Sequence, residues 1–330
     1  LTIIDSPYTQ IAAVTAQGHY GWFIGAATDT GNQLVRVDID NGLCHAVYQF
    51  PPPPVDPATF SRPQAVAYTT TNGDRSYGFY YPPANPHYQA PSGDLPPLIV
   101  ICHGGPSGAT SVALNLKIQF WTSRGFAIFD INYRGSTGYG RHFRELLDSN
   151  WGVSDVDDVV MGVRHLIEQG LADPEKLAIR GSSAGGYTVL AALTFHNLFK
   201  AGASYYGIGD LETLARDTHK FESRYLDRLV GPYPENAQRY WDRSPIHHIK
   251  QLSCPVIFFQ GQDDRVVPPS QAEAMVAALE ERGTTVAYVP FTDEGHGFRN
   301  ADNIAHALAM ELEFYRDVFN SGPAGRMQVR

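Results

Sequence analysis

The sequence predicts an α/β fold in which a mostly parallel sheet is covered by helices on both faces, with a short antiparallel β segment before it. Two patterns lead to this prediction. From "PLIVICHG" onward, apolar runs of strand length alternate with helical segments, as far as a last helix at about 301–320. Between residues 11 and 50, short alternating runs such as "WFIGAAT" and "LVRVDID" are separated by the turns "GHYG", "DTGNQ" and "NG".

The antiparallel segment has three or four strands at regular spacing, which is typical of one β-propeller blade or of a small meander. One blade buries too little apolar surface to be stable alone, so we expect it to pack on the rest of the chain or on missing neighbours. The run "PPPP" at 51–54 is a stiff spacer. We therefore predict a blade with its linker at residues 1–54 and one α/β domain at residues 55–330. The start "LTIIDSPYTQ", without an initiator Met or a signal segment, is expected for a piece of a longer protein.

Composition excludes several classes of protein. The 330 residues carry 25 Lys and Arg against 34 Asp and Glu, a net charge of −9 without a basic block, so nucleic acid is not an expected partner. No stretch approaches the roughly 20 apolar residues of a membrane span. The cysteines Cys44, Cys102 and Cys254 are odd in number and widely spaced, which predicts free thiols and fits a cytoplasmic protein. A homo-oligomer is compatible with these features.

The stretch "KLAIRGSSAGGYTVLAAL" passes from a strand through a glycine-rich turn directly into a helix. The segment 181–185, Gly-Ser-Ser-Ala-Gly, fits the nucleophile elbow of the α/β-hydrolase fold, with Ser183 as the nucleophile. Its two glycines are expected because a Cβ at either position would collide with the neighbouring strand or helix. The N–H group of Ala184, at the start of the helix, would point at developing negative charge.

A serine nucleophile needs a base, and the base needs a carboxylate to orient it. In the α/β-hydrolase order the acid follows the serine and the histidine comes last, each after a later strand. The strand in "CPVIFFQGQDDRVVP" ends at Asp263 and Asp264, and the strand in "VAYVPFTDEGHGF" ends at His296, which lies between two glycines. The residues therefore predict His296 as the base and one of the two aspartates as the acid.

An oxyanion hole needs a second N–H group beside that of Ala184. The first strand of the α/β region ends in "HGGP" at 103–106, where this fold presents such a loop, and the N–H group of Gly105 is the candidate donor. No His-Glu-x-x-His or comparable cluster predicts a metal site, and His247 and His248 are assigned structural roles. We expect neither a metal nor a cofactor.

These segments together resemble the prolyl oligopeptidase family of serine peptidases, within it the acylaminoacyl-peptidase and dipeptidyl-aminopeptidase-like branch. The matching pieces run in order from about 98 to 300: "HGGP", "NYRGSTGYG", "WG" with "DVDDV" after it, "GSSAGG", "DRSPIHHI", "GQDDRVVPPSQAEAM" and "EGHGF". The resemblance implies that Ser183 is the nucleophile and His296 the base. It favours Asp264 over Asp263 as the acid, because the family pattern places the acid three residues after Gly261.

The family also implies a β-propeller in front of the hydrolase, which limits access to small peptides. Only its last blade is expected in this chain, so the missing propeller is an expected partner. Some relatives have an arginine two positions after the acid that anchors a substrate carbonyl. Here that position is Val266 if Asp264 is the acid, and Arg265 only if Asp263 is.

The resemblance implies a serine peptidase that hydrolyses short peptides through an acyl-enzyme, as an aminopeptidase, an acylaminoacyl-peptidase or a dipeptidyl-peptidase. A carboxylesterase is the alternative, because ester and amide hydrolysis share the triad and the oxyanion hole. Pro106, where many esterases have a further glycine, favours the peptidase. The complete triad argues against a binding module without catalytic activity.

Three residues are candidates for substrate binding. Tyr205 and Tyr206 end the strand that follows the elbow helix, which places them near the nucleophile as walls of an apolar or aromatic S1 pocket or as core residues. The segment "HKFESRYLDRLVG" is predicted as a helical cover, and Glu222 within it is a candidate to receive the free amino group of a substrate. A solvated helix carboxylate is the alternative for Glu222.

Overall fold

An antiparallel sheet of four strands lies in the N-terminal part of the chain, which a computed structural model describes at residues 3–217 and 224–320. Its strands are β1 (Gln10–Gln17), β2 (Tyr20–Ala26), β3 (Gln33–Asp38) and β4 (Cys44–Gln49). Neighbouring strands in the chain are also neighbours in the sheet, so the segment is a simple meander. Alternate residues of β2 and β3 face inward, and Phe23, Val35 and Val37 form its small buried cluster.

Eight strands of the described part of the chain form the second sheet. They are β5 (Gln64–Thr69), β6 (Arg75–Tyr81), β7 (Leu98–Cys102), β8 (Ala127–Asn132), β9 (Leu177–Ser182), β10 (Ala201–Tyr205), β11 (Val256–Gly261) and β12 (Val286–Phe291). Their spatial order is β12-β11-β10-β9-β7-β8-β6-β5. From β7 through β9, β10 and β11 to β12 every pair is parallel. Strands β8, β10 and β11 are buried along their whole length, which is typical of a parallel sheet with helices on both faces.

Helices connect these strands. They are α1 (Leu116–Thr122), α2 (Arg141–Glu145), α3 (Ser154–Glu168), α4 (Ala184–Phe195), α5 (Leu211–Asp217), α6 (Tyr225–Leu229), α7 (Ala237–Arg243), α8 (Pro269–Glu281) and α9 (Ala301–Asn320). The helix α4 is buried all round, as its run of Ala, Gly, Val and Leu requires. This architecture confirms the predicted α/β-hydrolase fold with a short antiparallel segment before it.

By its contacts the chain divides into two compact units. The first contains residues 1–65, 79–94 and 110–128, and the second contains residues 66–78, 95–109 and 129–330. Strands β7 and β9 to β12 belong wholly to the second unit, which also holds every described residue of the predicted catalytic site. The proposed boundary after residue 54 stays a prediction.

Two further expectations concern cysteines and membranes. Cys44, Cys102 and Cys254 are all free, and Cys102 is buried in β7. Burial raises the pKa of the Cys254 thiol to about 12, so it has little thiolate character at neutral pH. Among the described residues, no helix has the length and apolar character needed to cross a membrane.

Candidate active site

Ser183 lies in the turn between β9 and α4 with a strained backbone, φ 55° and ψ −122°. The turn is possible because Gly181 and Gly185 let the chain pass through a crowded place. A Cβ on Gly185 would overlap the carbonyl oxygen of Cys102, and one on Gly181 would overlap that of Gly185. The predicted steric reason for both glycines is therefore confirmed, and the turn holds the serine side chain out at the carboxyl end of the sheet.

The strands bring His296 and Asp264 to the same edge of the sheet as Ser183. His296 Nε2 lies 2.9 Å from Ser183 Oγ, and His296 Nδ1 lies 2.8 Å from Asp264 Oδ2. Both distances are those of hydrogen bonds. Since Ser183 follows β9, Asp264 follows β11 and His296 follows β12, three parallel strands position the three side chains.

The neighbouring aspartates differ in their surroundings. Asp264 is 4% exposed, and its Oδ1 accepts hydrogen bonds from the N–H groups of Val266 and Val267 at 2.8 and 2.9 Å. Asp263 is exposed. The structure thus brings Asp264, and not Asp263, into contact with His296. Arg265 is exposed, while Val266 takes part in the cavity beside the serine.

The loop that carries His296 is braced by Glu294, a residue that sequence reasoning did not single out. Its carboxylate accepts hydrogen bonds from the N–H groups of Arg299 and Asn300, both at 2.9 Å, and from the side chain of Asn303. Burial would raise the pKa of Glu294, but these bonds outweigh it and leave the pKa below its ordinary value. The loop therefore closes on itself immediately after the histidine.

The loop after β7 lies against the nucleophile. A Cβ on Gly104 would come within 3.4 Å of the Cβ of Ser183, and Gly105 has a φ of +129°, which only glycine adopts readily. Gly105, Ser183 and Ala184 line one cavity. The N–H groups of Gly105 and Ala184 thus belong to residues that border the same space as the serine, as an oxyanion hole requires.

His103 holds this loop in place. Its Nε2 lies 2.8 Å from Ser136 Oγ, its Nδ1 lies 2.8 Å from the Gly104 carbonyl, and its ring stacks on Tyr133. Withdrawal of the ring from water lowers the pKa of His103 to about 4, so the ring is neutral at neutral pH.

The cavity beside Ser183 has a volume of about 290 Å³, and most of the residues that line it are apolar. Its walls include side chains from the loop before α3, from β10–α5 and from the short helix α6. Among them are Trp151, Ile208, Leu214, Tyr225, Leu226 and Leu229. The space can take an apolar side chain next to the serine hydroxyl.

The predicted substrate residues have different surroundings. Tyr205 is buried and donates a hydrogen bond to Glu311 Oε2 at 2.6 Å, and its ring stacks on Phe259. The ring of Tyr206 lies 4.8 Å from that of His296. Neither tyrosine is among the residues that line the cavity. Glu222 lies outside the described residues.

One cluster has the composition of a metal site. Asp210, Glu212 and His247 have potential ligand atoms within 4.8 Å of one another. Asp210 already accepts hydrogen bonds from the N–H groups of Glu212 and Thr213 as the cap of α5. The ring of His247 stacks on Trp241. Helix capping and stacking thus account for this cluster.

A strand-turn-helix elbow, a serine bonded to a histidine and a histidine bonded to a buried carboxylate define the class of α/β-hydrolases. The sequence pattern of the prolyl oligopeptidase family matches residues 112–322. The chain belongs to the prolyl oligopeptidase family, which confirms the resemblance seen in the sequence.

Relatives of this chain have peptidase names. It is 32% identical over 213 residues to dipeptidyl aminopeptidase BIII of Pseudoxanthomonas mexicana, covering 63% of this chain and 31% of that protein. It is 32% identical over 216 residues to the acylamino-acid-releasing enzyme of Arabidopsis thaliana, covering 62% and 28%. A solved puromycin-hydrolyzing peptidase of Mycobacterium tuberculosis is 42% identical with a TM-score of 0.93, covering 98% of this chain and 49% of that one. The chain thus spans about a third of these curated relatives and about half of the solved structure.

Proposed function

We propose that this chain is the catalytic part of a serine peptidase that hydrolyses short peptides through an acyl-enzyme. The observation that carries the proposal is the continuous hydrogen-bonded series from Ser183 through His296 to Asp264, at the border of an apolar cavity. Such a series activates a hydroxyl that is otherwise a poor nucleophile. Family membership supports the same conclusion.

The residues act in two half-reactions. Ser183 Oγ attacks the carbonyl carbon of the scissile amide while His296 Nε2 takes the hydroxyl proton, and Asp264 stabilises the resulting imidazolium. The N–H groups of Gly105 and Ala184 stabilise the oxyanion of the tetrahedral intermediate. His296 then gives its proton to the leaving amine, which departs and leaves an ester on Ser183. A water molecule, deprotonated by His296, hydrolyses that ester and restores the serine.

The substrates we propose are short peptides with an apolar or aromatic residue on the acyl side of the scissile bond. The apolar walls of the cavity support this, since a large apolar group gains about 25 cal/mol per Å² when it leaves water. The names of two relatives, a dipeptidyl aminopeptidase and an acylamino-acid-releasing enzyme, support action near the N-terminus of a substrate. Of the two tyrosines, Tyr206 stays the candidate for substrate contact, because its ring packs on His296.

The wider organisation is also a proposal. Residues 1–54 would be the last blade of a β-propeller with its linker and residues 55–330 the hydrolase, which the four-stranded meander at 10–49 supports. The propeller would restrict access to short peptides.

Three free cysteines support a cytoplasmic location. Glu222 is retained as the candidate for the substrate amino group.

The test is hydrolysis of a panel of aminoacyl, N-acetyl-aminoacyl and dipeptidyl chromogenic amides beside a short-chain ester, with Ser183→Ala as the control. Amide turnover that disappears in S183A supports the peptidase, and the preferred N-terminal group defines the subclass. Ester turnover without amide turnover would instead support a carboxylesterase on the same scaffold.

A further inference from the structure

Trp151, which lines the cavity beside Ser183, lies in a turn and not in a helix or strand. The side chain is buried, with its ring 4.6 Å from that of Tyr187 on α4. The backbone N–H group of Trp151 donates to the carbonyl oxygen of Leu229, and the backbone carbonyl of Trp151 accepts from Arg243 Nη1 at 3.0 Å. A large side chain in an irregular segment keeps one position only if its neighbours fix the backbone.

Asp155, in the first turn of α3, holds the backbone next to Trp151 in place. The N–H group of Gly152, next to Trp151, donates to Asp155 Oδ1 at 2.7 Å. The hydroxyl of Thr188 on α4 donates to Asp155 Oδ2 at 2.6 Å and also lies 3.2 Å from the carbonyl oxygen of Ala184. One carboxylate thus joins the cavity wall to the N-terminal half of the nucleophile helix α4.

The burial of the Asp155 carboxylate is unfavourable for the stability of the fold. Asp155 is fully buried and forms no salt bridge with any described residue. A buried carboxylate with only hydrogen-bond partners is less favourable than an apolar residue of similar volume. Its two hydrogen bonds connect the backbone beside Trp151 with Thr188 on α4, so the carboxylate links two elements that border the cavity.

We propose that Asp155 is a positioning residue that holds Trp151 against the nucleophile helix and thereby determines how large an apolar substrate group the cavity accepts. The inference rests on the proposed function, because it concerns acylation at Ser183. It predicts an effect on selectivity between large and small side chains, with the chemistry at the serine left intact.

A pair of threonines on α4 provides a matched test. Thr188 and Thr194 are both buried, and each hydroxyl lies within hydrogen-bond distance of the carbonyl four residues before it, but only Thr188 also contacts Asp155. In T188V the bond to Asp155 is lost without a change of shape. For two anilides that differ only in Phe or Ala at the acyl position, we expect T188V to lower kcat/KM about tenfold for Phe, mainly through KM, and less than about twofold for Ala.

The control T194V should leave the ratio of the two kcat/KM values within about twofold of the parent. Asp155→Ala should change the ratio as T188V does or more, and Asp155→Asn, which can still accept from Gly152, should change it less. Equal ratios in T188V and T194V would overturn the inference, and so would equal loss on both substrates. If D155A does not fold, the comparison of T188V with T194V is sufficient to test the inference. Turnover that survives in S183A would instead refute the proposed function.

Discussion

The Asp264 carboxylate is bound on both of its oxygens, one to His296 and the other to the backbone of Val266 and Val267. This carboxylate is therefore fixed in the orientation that keeps the histidine proton on Nδ1 and leaves Nε2 free to accept from Ser183. A change at this position should affect the rate of chemistry far more than substrate binding.

We predict that Asp264→Asn lowers kcat by about 10⁴ with little change in KM, because the amide favours the wrong tautomer of the histidine. The neighbouring change Asp263→Asn is the matched control and should alter kcat less than about twofold, since that side chain is exposed. Steady-state kinetics on one chromogenic amide measures both. Equal losses in the two variants would mean that the acid has been assigned wrongly.

His103 makes stability depend on pH. Its pKa is lowered to about 4 in the folded protein, mainly because the ring is withdrawn from water, against an ordinary value near 6.5. Between these values the unfolded chain binds a proton that the folded protein does not, so stability is lost as the pH falls through this range.

The parent should accordingly lose on the order of 3 kcal/mol relative to His103→Gln between pH 7 and pH 4. Urea unfolding of the two proteins at a series of pH values gives this difference. Contributions from other groups are common to both proteins and cancel in it. A difference that does not change with pH would show that the ring titrates normally in the folded state.

At the scale of elements, an ion pair that is largely shielded from solvent joins the nucleophile strand β9 to the helix α9. Arg180 Nε lies 2.8 Å from Glu311 Oε1, and the other carboxylate oxygen of Glu311 accepts from Tyr205. Glu311 is fully buried. Removal of one partner leaves the other charge in a poorly solvated place.

We expect Glu311→Ala to lower the free energy of unfolding by about 3–5 kcal/mol, because the Arg180 guanidinium, which has little access to solvent, would lose this partner. Glu175→Ala is the control. It breaks the exposed pair between Lys200 and Glu175 and should cost about 0–1 kcal/mol. Chemical denaturation measures both, and comparable small losses would show that the buried pair contributes no more than the exposed one.

For the whole molecule, sequence reasoning works best where local rules suffice. The elbow at Ser183 and the strand-end placement of Asp264 and His296 follow from patterns within about 15 residues, and the alternation of strands and helices gives the fold. The choice between Asp263 and Asp264 is different. It depends on which side chain faces the histidine loop, which the residues alone left open and only the family resemblance favoured.

The residues that line the cavity cannot be predicted from short stretches of sequence. Trp151 and Leu229 are 78 positions apart and meet only because the helices pack together. Tyr205 was a candidate because it ends the right strand, but β10 is buried on both faces, so this side chain turns to Glu311 on α9. A carboxylate on a later helix gives no local signal of such a contact.

The central claim is that Ser183 is the nucleophile, and covalent labelling tests it most directly. A fluorophosphonate should add one phosphonyl group per chain, which peptide mapping should locate on Ser183. Ser182→Ala should be labelled like the parent, Ser183→Ala should not react, and His296→Ala should react far more slowly. An adduct on Ser182 or elsewhere, or amide hydrolysis that persists in S183A, would contradict this account.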